Sequence, residues 1–267
     1  MVSQPPYLNP LDAALTQLQP ITLDGLNARA SLLTRINRKY ILDRRALERL
    51  LHSVGDDFRV LEIDGRRSFH YDTTYFDDAD LSSYFAHHQG RRRRFKVRTR
   101  LYDTGDCFLE VKLKSLRGTT VKKRQLHPAA QHGVLGDDAL AFVAQSHADL
   151  YNTPLPERTF SPSLRLFYHR ACLAAEAGDE RFTIDRDLSF RNGAHDRPVS
   201  RDLYIIETKT RTGRGRIDDT LRRFHQRPTR RCSKYCVGLN LTNQVQRNNR
   251  FLPALRQLAA QPAPQTV

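Results

Sequence analysis

Tryptophan is absent from the 267-residue chain, methionine occurs once and cysteine four times. No run of about 18 apolar residues occurs, so no helical membrane span is expected. The opening MVSQPPYLNPLD has neither a basic start nor an apolar centre, so no signal peptide is expected. Cys107, Cys172, Cys232 and Cys236 are irregularly spaced. Cys232 and Cys236 have no second pair near them, which suits neither a zinc site nor a disulfide framework and fits thiols in a reducing cytosol. There is no G-x-x-x-x-G-K-[ST], no G-x-G-x-x-G after a strand, no H-E-x-x-H and no Ser/His/Asp arrangement. The ten histidines, His87 and His88 included, show no ligand spacing. Negative charge is scarce as well: 29 acidic residues face 44 Lys and Arg, for a net charge of +15. That balance favours an anionic partner, whether nucleic acid, an acidic membrane surface or phosphate compounds. Apolar residues make up 39%, with ten Tyr and thirteen Phe, which is enough for a lean core.

The positive charge is concentrated between Arg91 and Arg124, where thirteen basic residues accompany three acidic ones, Asp103, Asp106 and Glu110. Arg94, Lys96, Arg98 and Arg100 occupy every second position, with Phe95, Val97, Thr99 and Leu101 between them. Period two places the two sets on opposite faces of a strand. Glu110, Lys112 and Lys114 alternate with Leu109, Val111 and Leu113 in the same way. The turn-like Asp103-Thr104-Gly105-Asp106 joins the two strands, and a third, Thr119 to Leu126, brings Lys122 and Arg124.

Elsewhere, residues 1–30 read as a loosely packed arm with one short helix where periodicity starts at Leu11–Leu18, 31–245 as the folded domain and 246–267 as a tail that frays. Strands are expected at Leu32–Leu42, Ser68–Phe76, Leu164–Leu173, Phe182–Leu188 and Leu203–Thr210, with a last strand or strand-like turn at Arg231–Val237. Asp43 reads as the N-cap of a helix bearing Leu47, Leu50, Leu51 and Val54. Further helices are expected at Leu81–His88, Asp137–Leu150 and Ile217–Phe224. Leu109-Glu110-Val111-Lys112 is echoed by Ile206-Glu207-Thr208-Lys209, with Glu and Lys pointing the same way in each. The echo suggests two halves of one closed sheet whose charged faces meet across an interior.

A charged strand face usually looks outward over an ordinary core. Here it would present a row of like charges beside like charges, which repel unless something anionic offsets them. Single-stranded nucleic acid would want aromatics among the cations. Phe95 and Phe108 are read as pointing away from them, and no recognition-helix, zinc-finger or RNP pattern occurs. Phosphate handling by many Arg and Lys with a few carboxylates remains, as does a divalent metal bridging phosphates.

A set of short motifs then occurs in order. It runs Lys39-Tyr40, Tyr75-Phe76-Asp77, Lys96-Val97-Arg98-Thr99-Arg100-Leu101-Tyr102, Phe108-Leu109-Glu110-Val111-Lys112 and Lys122-Lys123-Arg124. It continues with Tyr168-His169-Arg170, Ile206-Glu207-Thr208-Lys209 and Ser233-Lys234-Tyr235. Over roughly residues 32–240 the chain resembles the catalytic domain of the vacuolar transporter chaperone. That family is the polyphosphate polymerase branch of the CYTH-like triphosphate tunnel metalloenzymes.

The resemblance implies an α+β fold: an antiparallel β-barrel tunnel with helices packed outside. Lys39, Arg98, Arg100, Lys112 and Lys122 would line the tunnel, together with Arg170, Arg181 (placed by the Thr183-Ile184-Asp185 that follows) and Lys234. Arg124 and Lys209 would add to phosphate binding. Glu207 would hold a divalent metal, Mn²⁺ or Mg²⁺, with Glu110 as second carboxylate. ATP would be the substrate and inorganic polyphosphate or triphosphate the other partner, with no specific nucleic acid. The chain would be cytoplasmic, or held at the inner face of a membrane by a membrane-protein partner. It lacks the regulatory module and membrane segment of the fungal pattern. Relatives that hydrolyse triphosphate tend to carry E-x-E-x-K, where this chain has Arg35-Ile36-Asn37-Arg38-Lys39, a departure that counts towards the polymerase branch. A triphosphate or polyphosphate hydrolase and a non-catalytic polyphosphate- or inositol-phosphate-binding module stand as alternatives.

Overall fold

Strands with one charged and one apolar face need a core on the apolar side, and the helices supply it. The computed structural model describes residues 10–29 and 36–259. In chain order the elements begin α1 (Pro10–Thr16), β1 (Pro20–Ile21), α2 (Leu23–Arg29), β2 (Ile36–Asp43), α3 (Arg44–Val54) and β3 (Phe58–Leu61). Next come β4 (Phe69–Asp77), α4 (Ser82–Gln89), β5 (Arg94–Tyr102), β6 (Cys107–Lys114), β7 (Thr120–Leu126) and α5 (Asp137–Tyr151). The chain continues through β8 (Ser161–Ala175), β9 (Arg181–Asn192), β10 (His195–Pro198), β11 (Leu203–Thr210), α6 (Arg216–Arg223), α7 (Lys234–Leu241) and α8 (Leu252–Ala259). The fold is thus a mixture of helices and an eleven-stranded sheet, paired β2-β11-β9-β8-β4-β5-β6-β7, with β1, β3 and β10 off this path. Every ladder with a described register is antiparallel except β1 on β3. Among the described residues no ladder joins β2 to β7, so the sheet is open-ended where a closed barrel was expected.

The chain forms two compact units. The first comprises Met1–Phe69, His169–Arg186 and Arg201–Thr229; the second comprises His70–Tyr168, Asp187–Ser200 and Arg230–Val267. In the first unit, Asp43 caps α3 as its sequence promised, its carboxylate accepting from the Ala46 N–H at 2.7 Å. Leu47, Leu50, Leu51 and Val54 then fall on one face and are buried with Phe58, Phe182, Ile184 and Ile206. Leu11, Leu15 and Leu18, in the segment expected to be an arm, belong to the same core. In the second unit, the odd-numbered residues Phe95, Val97, Leu109, Val111 and Leu113 pack against Ala139, Val143 and Tyr151 of α5. Phe251, Ala254 and Leu258, in the expected tail, are buried as well. Among the described residues no helix is long and apolar enough to cross a membrane.

One expected element changes type. The strand or strand-like turn expected at Arg231–Val237 is a short turn leading into helix α7, which starts at Lys234, and Lys234 through Asn240 are all buried. A short segment enclosed on every side carries no period of its own, so pattern cannot separate helix from strand there. The start of the first expected strand, residues 32–35, lies outside the described residues. Strands β3 and β10 were not anticipated; both are four residues long.

Gly238 is what lets α7 sit this close. A Cβ there would lie 2.5 Å from Leu164 Cδ2 and 2.5 Å from the Phe190 ring. Helix propensity alone would make Gly238→Ala stabilising by up to about 1 kcal/mol. Overpacking against a buried ring costs about 1–3 kcal/mol. A net loss of roughly 1–2 kcal/mol is therefore expected in denaturant unfolding, whereas a gain would show that Phe190 gives way.

Candidate functional site: two basic clusters

The first cluster is built on β5, β6 and β7 of the second unit. Register sets Arg98 opposite Glu110, and Glu110 opposite Arg124. Glu110 is 1% exposed. Arg98 Nε donates to its Oε2 and Lys122 Nζ to its Oε1, both at 2.6 Å, and Arg100 Nη1 lies 3.8 Å from Oε2. Burial by itself would push this carboxyl up; the charges of Arg98, Arg100 and Lys122 outweigh it and hold the group well below the usual carboxylate range. Three cations thus share one anion.

Strand β4 lays aromatic and hydroxyl groups beside these cations, because Tyr75 pairs with Arg98 and Thr73 with Arg100. Arg98 donates to the Tyr75 hydroxyl at 3.0 Å, and Arg100 Nε to Thr73 Oγ1 at 3.1 Å. The Arg100 guanidinium stands over the rings of Tyr71 and Tyr168, at 5.1 and 5.9 Å from their centroids. Burial would raise the Tyr75 phenol, yet Arg98, Arg100 and Lys96 outweigh it and bring its pKa down to about 8. Lys234, the first residue of α7, places its ammonium 5.3 Å from the Tyr168 centroid, so Arg100 and Lys234 share that ring. Lys112 is exposed at the rim of the cluster.

Arg124 lies with its guanidinium 4.8 Å over the Phe108 ring. That corrects the reading of Phe108. Its even number gives it the parity of Glu110 and Lys112, so it stands on the charged face and only Phe95 points into the core.

Asp77 ties this cluster together from behind. Wholly buried, it accepts the Ser83 and Tyr84 N–H groups at 2.9 and 3.1 Å and the Tyr235 hydroxyl at 2.6 Å. It therefore caps α4 and anchors the start of α7, one residue from Lys234. Burial raises its pKa against those hydrogen bonds.

The second cluster belongs to the first unit. Strands β2 and β11 set Lys39 opposite Glu207, and β11 and β9 set Lys209 opposite Arg181. Glu207 Oε1 accepts from Asn37 Nδ2 at 3.1 Å and lies 3.8 Å from Lys209, while Oε2 is 3.7 Å from Lys39. Arg170 makes a two-pronged pair with buried Asp185, at 2.5 and 2.8 Å. Lys209 is 8% exposed and its Nζ donates no hydrogen bond. Burial drives its pKa down to about 8 against the pull of Glu207, with Arg170 and Arg181 adding to the fall. An ammonium so placed asks for an anion. Tyr40, which the sequence left without a role, donates to Asp218 at 2.6 Å; Thr208 does so at 3.0 Å, and together they fix α6 to β2 and β11.

Among the described residues no three His, Cys, Asp or Glu groups converge as a metal site. Glu207 nevertheless fits a metal that arrives with its substrate. Its ion pairs are long, at 3.7 and 3.8 Å, and Mg²⁺ is commonly held by one or two carboxylates plus phosphate oxygens and water. Glu110 is placed otherwise, with both oxygens already engaged by cations.

Sequence reasoning passed over Tyr71, Thr73 and Tyr75, although their own alternation opposite the basic row was a usable signal. It also passed over Tyr168 and Asp77, which lay inside quoted motifs. Asp185 and Asp218 were invisible, because their partners are brought to them only by folding.

Residues 34–243 match the family model of the VTC domain. The chain belongs to the VTC domain family. Membership supports a polyphosphate-related activity, and with it a phosphate-chemistry enzyme. No curated protein matches the chain. Among solved structures it is similar to a putative adenylyl cyclase from Hippeastrum described as having a dominant triphosphatase activity. The identity is 15% over 77% of this chain and 95% of that one, with a TM-score of 0.48. An inorganic triphosphatase, NE1496, shares 13% identity over 66% of this chain and 73% of its own, with a TM-score of 0.27. Likenesses this distant do not bear on the chemistry.

Removing the shared anion should be costly. Glu110→Gln leaves Arg98 and Arg100 uncompensated and is expected to lower stability by about 3 kcal/mol. Because the folded pKa is depressed, the Glu110 contribution is complete above the unfolded carboxylate value of about 4.3 and is lost as pH falls towards the folded one. The acid limb of a pH–stability curve should accordingly flatten in the variant, and an unchanged limb would count against the assignment. The Tyr75 phenol should show in ligand binding. Only its protonated form is neutral, so tripolyphosphate affinity should weaken as pH rises through about 8. Titrations of Tyr75→Phe at several pH values should lack that limb.

Proposed function

We propose that this VTC domain is an ATP-dependent polyphosphate polymerase that uses Mn²⁺ or Mg²⁺. The observation that carries the reading is the excess of cations over anions: buried Arg100, half-buried Arg98 and exposed Lys122 on the single buried carboxylate of Glu110. A bound triphosphate would supply the missing negative charge.

In this reading Arg98, Arg100, Lys122 and Lys234 grip phosphate oxygens, the guanidinium groups through paired N–H donors. Lys112 and Arg124 add charge at the rim. Lys39, Arg170, Arg181 and Lys209 supply further positive charge in the first unit, where Glu207 would hold the metal. A metal there would offset negative charge on the phosphate oxygens that share it. A terminal oxygen of the phosphate chain attacks the γ-phosphorus of ATP. The new P–O bond forms as the β–γ bridging bond breaks, and ADP leaves with the bridging oxygen. Arginine and lysine side chains neutralise the charge that builds on both oxygens, so positioning and electrostatics do most of the work.

The state of Glu110 supports the transfer reading. Water needs a base to take its proton, and the carboxylate at the centre of the first cluster already accepts from Arg98 and Lys122. A phosphate oxygen is ionised before it attacks and needs no base.

Purified protein incubated with ATP and Mn²⁺ or Mg²⁺ should yield long phosphate chains on a gel. Release of ADP and monophosphate alone would replace the polymerase with a hydrolase. Glu207→Gln should cut turnover by about 100-fold or more while tripolyphosphate binding persists. Full turnover in that variant would remove Glu207 from the reaction; binding without any turnover in the wild type would leave a non-catalytic module.

A further inference from the structure

Helix α7 meets β5 and α4 through three reactive side chains that the phosphate reading leaves unused. Lys96 stands on β5, and its ammonium donates to Ser233 Oγ at 2.7 Å. His87 of α4 places Nδ1 2.6 Å from the same nitrogen. Cys236, the third residue of α7, brings its Sγ to 3.4 Å from Lys96 Nζ and 3.4 Å from His87 Nδ1. An amine, a thiol and an imidazole therefore touch one another pairwise. The Tyr235 ring, whose hydroxyl is fixed by Asp77, lies 5.4 Å from the ammonium and helps hold it there. Among the described residues Lys96 forms no ion pair with a carboxylate, in contrast to Arg98 and Lys122. The sulfur is wholly buried, but Lys96, His87 and Ser233 are half-buried, so a small molecule reaches it past them.

An amine in contact with a thiol matters once the sulfur is oxidised, because a sulfenic acid is an electrophile that condenses with nearby nucleophiles. We propose that Cys236 and Lys96 form a reversible covalent clamp, a sulfur–nitrogen bond made when hydrogen peroxide oxidises the thiol, which ties α7 to β5. In the first step His87 takes the thiol proton and the sulfur attacks one peroxide oxygen. The O–O bond breaks, sulfur loses two electrons, and the departing hydroxide takes the proton back from His87 as water. In the second step the Lys96 ammonium gives a proton to His87, and the freed lone pair attacks the sulfur of the sulfenic acid. The N–S bond forms, the S–O bond breaks, and the hydroxyl leaves as a second water with a proton from nitrogen. A thiol reductant returns the two electrons and restores both side chains. Cys107 shows what is missing elsewhere. His132 Nδ1 lies 3.8 Å from its sulfur, but among the described residues no lysine touches it, and burial raises its pKa. The clamp would fix the start of α7, Lys234 included, and withdraw one positive charge from β5.

The full chain is treated with a small excess of hydrogen peroxide, digested and mapped by mass spectrometry. The expected product is a Lys96 peptide joined to a Cys236 peptide, lighter than their sum by two hydrogen atoms and separated by dithiothreitol. Peroxide should also raise the thermal unfolding midpoint by roughly 5 °C, since the bond closes a long loop, and dithiothreitol should reverse the rise. Both effects should vanish in Cys236→Ser, a near-isosteric change, and in Lys96→Arg, but survive in Cys232→Ser. The link should be lost when peroxide is added to protein unfolded in guanidinium. Cys236 carrying one or more added oxygens without a link would overturn the proposal, as would a thiol left unmodified. A Cys232–Cys236 disulfide, which removes two hydrogens as well but persists in Lys96→Arg, would replace the clamp with an ordinary dithiol couple and overturn it too.

Discussion

A carboxylate taken almost wholly out of water is tolerable only if charge comes with it, and at Glu110 that charge comes from the two neighbouring strands. Arg98 and Arg100 arrive on β5, Lys122 on β7, and β6 carries the carboxylate between them. The pairing constrains register: a slip of one residue would send Glu110 into the apolar packing against α5 and Val111 out among the arginines. The same interaction leaves the second unit with more positive than negative charge on this face.

The two Glu-x-Lys echoes turn out to be built in opposite senses. In the first, the glutamate is buried under cations and Lys112 is exposed. In the second, Lys209 is the buried partner, and Glu207 is half-buried with Lys209 and Lys39 at 3.8 and 3.7 Å. An identical pattern thus yields a buried counter-charge in one place and a half-buried carboxylate in the other. Burial decides the difference, through what each group loses on leaving water.

Much of this was legible beforehand because strand parity is a strong, local signal. Arg98, Arg100 and Glu110 fell on one face by counting, and Asp43 announced its helix. Phe108 was misplaced although the same count applied to it. Helix α7 was missed for a different reason. Its residues are enclosed on all sides, and Gly238 in its middle serves a close approach to Phe190 that only the folded chain contains.

The amino-acid order by itself determined the alternation that makes a charged and an apolar face, and the caps that start the helices, because both depend on residues within a few positions of one another. It also determined the family, through motifs whose order survives along the chain. Tertiary structure alone decided that Tyr168 would lie beside Arg100, that Asp77 would hold α4 to Tyr235, and that Lys209 would lose its water. Each of these depends on groups separated by many residues and on how deeply they are buried, and desolvation has no local signature in sequence.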